Sequence, residues 1–219
     1  MKKVFILLLV SFLSCKKEEK KISKPIITEV KNEKIVDEKI ADNNAFIFLN
    51  LKDTIDIKTL EFPFELKKND ICVTISIGYG WLAFDDRIHY IFSEDSTINV
   101  YHEKIPKVYL KGKKYKKTVK KIKLSDKKKA ELVNILKSEK TINFQKYKQS
   151  DFVNDKNKIS KCIVTDNNGY SITFLQNNKY NSYFYYAPTF ALKNCDEEII
   201  NKSVLKEFIE LLKIWKVEL

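Results

Sequence analysis

Arginine is nearly absent from this chain: of 41 basic residues among 219, only Arg87 is not lysine. Guanidinium is the group that reads base edges and clamps phosphates with two parallel hydrogen bonds. The formal charge of +12 therefore does not describe a nucleic-acid binder. Alanine occurs six times while lysine, isoleucine and asparagine crowd the chain, a usage that an AT-rich coding sequence writes whatever the function. No C-x-x-C pair occurs, which leaves a thioredoxin-like site and a zinc knuckle unsupported. H-E-x-x-H, G-x-S-x-G and the phosphate loop are absent, and Gly78-Tyr79-Gly80 lacks the third glycine of the dinucleotide fingerprint. No cofactor is implied.

The longest apolar run is short and lies at the start. Met1-Lys2-Lys3 precedes about ten apolar residues from Val4 to Leu13, then Ser14-Cys15. Two lysines, a short apolar stretch and a small residue at the cut make a secretory signal peptide, too short for the roughly 20 residues of a spanning helix. The Ser14-Cys15 junction resembles the lipobox of bacterial lipoproteins of the Bacteroidetes type. Phe12 and Leu13 stand where the usual pattern has leucine and a small residue. The resemblance covers residues 1–20 and implies cleavage before Cys15, a lipid on that cysteine and attachment to a membrane. Lys16 in place of a retention aspartate, and the charged Lys17-Glu18-Glu19, imply the outer membrane and exposure at the cell surface.

Cleavage leaves a mature chain of 205 residues, enough for a tether and one domain of ordinary size. Residues 16–44 are charged, hold no aromatic residue and only Pro25, so they bury too little apolar surface to order themselves. The domain is expected over 45–219. Its charge is uneven: residues 104–129 carry thirteen lysines against Asp126, a local +12 equal to that of the whole chain. Lys113, Lys114, Lys116 and Lys117 are the densest part. They read either as a lysine-guarded sheet edge or as a patch for an acidic partner, glycan or headgroup. After Cys15 three thiols remain, Cys72, Cys162 and Cys195, enough for one bridge. Cys162–Cys195 is expected because both lie in the C-terminal half.

Ile71–Ile77 alternates strictly between apolar residues and Cys72, Thr74, Ser76, the pattern of a half-buried strand. Arg87–Phe92 and Thr97–His102 flank a turn. Pairing Ile88, Tyr90 and Phe92 with His102, Val100 and Ile98 places His102 on the buried face and His89 on the other. A two-histidine metal site is disfavoured by that register. Residues 115–124 read as a further strand. Asn168-Gly169 is the strongest short hairpin signal, expected to join 161–165 to 170–175, and 181–187 gives another strand. Ser125 caps an expected helix over 126–138, and Leu205, Phe208, Ile209, Leu212 and Trp215 stripe a second over 202–215. The fold class is therefore α+β: an antiparallel β-sheet with two amphipathic helices packed on one face.

Three functional classes remain. A non-enzymatic binding module for a protein or glycan partner is motivated by the lysine patch and by the aromatic run Tyr180–Tyr186, with Tyr183 and Tyr185 as candidate surface residues. A glycan or peptidoglycan hydrolase would use Asp85 or Asp86 in a cleft with a carboxylate pair. A structural envelope protein needs no discrete site. Asp151, Asn154, Asp155 and Asn157 crowd one loop but lack the glycine and glutamate of a calcium loop.

Overall fold

The structure, a computed structural model, describes residues 46–56, 60, 62–80, 83–110, 115–156, 162 and 164–217. The chain divides into two units, 1–43 and 44–219, and every described residue belongs to the second. The expected signal peptide, Cys15 and the tether lie outside the described residues.

Seven strands form one sheet: β1 (Asp53–Thr54), β2 (Ile71–Tyr79), β3 (Phe84–Phe92), β4 (Ile98–Pro106), β5 (Thr118–Ile122), β6 (Asn168–Gln176) and β7 (Lys179–Tyr186). Their order is β1-β7-β6-β2-β3-β4-β5, and every pairing is antiparallel. Among the described residues, four helices accompany the sheet in the α+β domain: α1 (Asp126–Lys137), α2 (Glu139–Phe144), α3 (Pro188–Asn194) and α4 (Lys202–Ile214).

The helices form where the local chemistry directs them. Ser125 accepts a hydrogen bond from the Lys128 amide to start α1, and Asn201 accepts from Val204 to start α4. The α4 stripe is buried throughout, with Leu205, Phe208 and Leu212 inaccessible to solvent. Two helices exceed the expected pair. Ser138 ends α1 and at once caps the six-residue α2 by accepting from Thr141, and Pro188 opens α3 directly after Ala187, which sits at φ 49°. Both are too short to display a helical period.

The helices share one core with the apolar face of the sheet. Ile71, Val73 and Ile75 of β2, with Ile172 and Phe174 of β6, meet Phe144, Phe152 and Phe208. The opposite face is not bare. Cys72, Ile91 and Leu175 are buried there beneath Ile55, Leu60, Phe62, Phe64 and Leu66. This cover buries Cys72, whose thiol is pushed up to about 12 by desolvation.

The expected Asn-Gly hairpin is corrected. Asn168 and Gly169 lie inside β6, paired with β2 and β7, and the reversal falls at Asn177-Asn178, with Asn177 at φ 56°. A Cβ on Gly169 would sit 2.8 Å from the ring of Phe184. The glycine serves close side-chain approach across the strands rather than a turn. Cys162 and Cys195 are bonded, with Cα atoms 5.6 Å apart, and among the described residues Cys72 is the free cysteine.

Residues 47–52 enter the domain without forming a strand, so their backbone groups need side-chain partners. The Leu49 amide donates to Gln176 Oε1 at 2.8 Å, and Gln176 Nε2 donates to the Ile47 carbonyl at 3.0 Å. Asn50 donates to Gln145 Oε1 at 3.1 Å, and Lys52 to Asn181 Oδ1 at 2.9 Å. Gln145, Gln176 and Asn181 are themselves buried. Three internal amides thus stitch the start of the domain to the sheet and to α2.

Candidate binding surfaces

β5 is an edge strand whose five residues are all exposed. Lys116, Lys117, Lys120, Lys121 and Lys123 lie on or beside it; Lys113 and Lys114 fall outside the described residues. The lysines are not equivalent. Lys117 Nζ lies 2.9 Å from Glu103 Oε1, and Lys121 Nζ stands 5.7 Å from the centre of the Tyr101 ring. Lys116, Lys120 and Lys123 have no acidic partner among the described residues. Tyr115, Val119 and Ile122 lie among them and are exposed. The other edge is treated differently. β1 covers the start of β7, and the Gln149 side chain then imitates a strand neighbour, donating to the Phe184 carbonyl at 2.9 Å and accepting from its amide at 2.8 Å.

The tyrosine strand is turned the other way from the expected surface. Tyr183 is 1% exposed, and its hydroxyl donates to the Tyr147 carbonyl at 3.0 Å. Tyr185 is half-buried, its ring 5.6 Å from that of Phe152. Period-two alternation gives Phe184 and Tyr186 to the outer face, 52% and 36% exposed. Tyr183 is not available as a binding-surface anchor, and Tyr185 is only partly accessible, because both residues share the face that packs on the core.

The hairpin register is the expected one: Ile88 opposes His102, Tyr90 opposes Val100 and His89 opposes Tyr101. Burial is reversed. His102 stands on the helix-side face near its margin, 32% exposed by its side chain, with Nε2 2.8 Å from Asp86 Oδ1. His89, on the other face, is 2% exposed, because Phe62 and Phe64 set their rings 6.3 and 5.0 Å from its own. There it links three strands. Thr74 Oγ1 is 3.0 Å from Nδ1, and Nε2 is 3.1 Å from Glu103 Oε2. Arg87 lies 3.9 Å from the same carboxylate oxygen. No spacing rule marks this chain, since its members are fifteen and fourteen residues apart; only the register brings them together.

Hydroxyl, imidazole and carboxylate in series are the parts of an activated nucleophile. Among the described residues the amides beside Thr74 are engaged in the β-ladders on both sides. Structurally the arrangement is a buried polar clamp that ties β2, β3 and β4 together. Burial lowers the affinity of His89 for a proton, against the opposing pull of Glu103. Burial raises Glu103, but the ion pair with Lys117 and the bond to His89 outweigh it and hold the carboxyl below its usual range. Both folded-state values lie below the unfolded ones, so the unfolded chain binds more protons and stability falls as the pH is lowered. The loss should begin below about pH 6.5 through His89 and continue below about pH 4.5 through Glu103. Urea midpoints at pH 7 and 5 should fall on acidification, with a shallower fall for His89→Gln; equal slopes for the two proteins would refute the assignment.

Asp85 and Asp86 are neighbours on a strand and so point to opposite faces. Asp85 lies 3.7 Å from Lys107 on the outer side, while Asp86 meets His102 on the helix side. They cannot flank one glycosidic bond, and the carboxylate pair required of a hydrolase is not formed by them. The crowded loop is occupied by backbone work: Asp151 accepts from the Lys148 amide, and Asn154 donates to the carbonyls of Glu197 and Ile200. Asn157 and Trp81 lie outside the described residues. Among the described residues no group of three or more metal-ligating side chains assembles, and no helix is long and apolar enough to cross a membrane.

Two hollows deserve comparison. One of about 710 Å³ lies beside the β6–β7 turn, walled by Phe48, Leu66 and the stems of Lys67, Lys68 and Lys179; it gathers no buried polar chain apart from Gln176, already spent on residues 47–49. The second, about 410 Å³, opens on the helix side between β2, β3, β6 and the end of α4. Ile75, Ile77, Ile88, Tyr90, Tyr170 and Trp215 wall it, and Asp86 and Asn168 supply polar groups. Neither protein-family models nor curated proteins match this chain.

Proposed function

We propose that this is a membrane-tethered envelope lipoprotein whose domain is a non-enzymatic binding module for an acidic protein or glycan partner. Cys15 carries the lipid, residues 16–44 form the spacer, and the outer membrane with surface exposure is the proposed location. The observation that carries the binding reading is the β5 edge. Positive charge and exposed Tyr115, Val119 and Ile122 coincide on one strand and the residues just before it, whereas a merely guarded edge needs only the lysines. Exposed aromatic and apolar residues beside charged ones are the composition of a recognition surface.

The clamp dictates how this is tested. Reversing Lys117 would set a second carboxylate beside buried Glu103 and perturb the fold, so the informative set is Lys116, Lys120 and Lys123. In a crosslinking pull-down from intact cells, the tethered protein should capture a specific partner that both Cys15→Ala and the triple Lys→Glu variant lose. Retention of every partner by the triple variant would remove the β5 edge from the account.

A further inference from the structure

The 410 Å³ hollow is of the size and character of small-molecule sites, which are apolar with a few polar groups fixing orientation. Three isoleucines form an apolar bed, so a sugar, polar on most of its rim, is a poor fit. Asp86 is the carboxylate in the lining, and both of its contacts with basic side chains, His102 at 2.8 Å and Lys104 at 4.0 Å, are made through Oδ1. Oδ2 remains as an acceptor. With two basic groups already at that carboxylate, a cationic ligand head gains little, and an anionic head meets Oδ2 as a like charge. Lys216, the cation in the lining, is paired with Glu131. Asn168 Nδ2 already donates to the Tyr170 oxygen at 3.3 Å. The site therefore offers Asp86 Oδ2 as an acceptor. A hydroxyl complements it, since it donates one hydrogen bond without carrying a charge.

We propose that this hollow binds a small neutral amphiphile: an apolar body on Ile75, Ile77 and Ile88, with an alcohol or phenol hydroxyl directed to Asp86. This goes beyond the β5 edge and does not depend on it. The test uses the chain carrying Cys15→Ala and Trp81→Phe, so that Trp215 is the single indole reporter. 4-Butylphenol should change its emission saturably, and should bind about tenfold more tightly than butylbenzene or 4-butylbenzoate, the worth of one buried hydrogen bond. Asp86→Val should erase the preference for the phenol over the hydrocarbon, and Ile77→Phe should fill the hollow and abolish both. Reversal of Lys116, Lys120 and Lys123 should leave the titration unchanged, which separates this site from the partner surface. Absence of saturation, equal affinity for phenol and hydrocarbon in the parent protein, or binding that survives Ile77→Phe in a folded variant would each overturn the proposal.

Discussion

Asn181→Leu should destabilise the domain by roughly 3–5 kcal/mol, because it strands several buried polar groups at once. Asn181 is 3% exposed. Its Oδ1 is the acceptor for the Lys52 amide, and its Nδ2 donates to the Gln145 carbonyl at 3.2 Å and to the Tyr183 hydroxyl at 3.1 Å. Leucine has a similar volume and can satisfy none of them. The neighbouring Ser182 is exposed, so Ser182→Leu serves as the matched control and should cost far less. Asn181→Asp keeps the acceptor and loses the donor, and should fall between the two. Equilibrium urea unfolding reads all three; a leucine variant within about 1 kcal/mol of the parent would mean that the start of the domain is held by its apolar contacts alone.

Removing the bridge by Cys162→Ala with Cys195→Ala should cost roughly 3–4 kcal/mol in the chain-entropy account, given a closed loop of 33 residues' separation. Reductant should lower the thermal midpoint of the parent by a comparable amount and leave the double variant unmoved. Cys72→Ala is the control: its thiol is buried and unbridged, so the variant keeps the bridge and should respond to reductant as the parent does. A midpoint indifferent to both the double substitution and the reductant would remove the bridge from the stability of the domain. Disulfides persist outside the reducing cytoplasm, which agrees with the proposed export.

Several features could be read directly because they are local or nearly so. β2 alternates between apolar and small residues over seven positions, and two-residue periodicity needs no knowledge of the rest of the chain. The register of β3 and β4 follows from matching Ile88, Tyr90 and Phe92 against one another's apolar partners. Ser125 and the Leu205–Trp215 stripe mark helices through caps and spacing within a dozen residues. The basic segment before α1 is visible from charge counting.

Other features needed partners distant in the chain. Alternation in β7 separates Tyr183 and Tyr185 from Phe184 and Tyr186, yet it does not say which pair meets a helix. The same ambiguity reversed the burial of His89 and His102: both were assigned to their faces, but the cover of Phe62 and Phe64 on the second face has no periodic signature. Asn168-Gly169 has the composition of a turn, and packing of Phe184 accounts for its glycine instead. The Thr74–His89–Glu103 chain and the hollow at Asp86 are products of the register across β2, β3, β4 and β6.

Residue order alone therefore settled the fold class, the strand alternation, the hairpin register and the two long helices, since these rest on spacing and on caps that act within a few residues. Which face each strand buries, which lysines remain exposed beside β5, and which polar groups gather around His89 and Asp86 were decided by the tertiary structure. The physical reason is that burial and electrostatic environment belong to what packs against a residue, and here those neighbours come from segments up to 129 residues away.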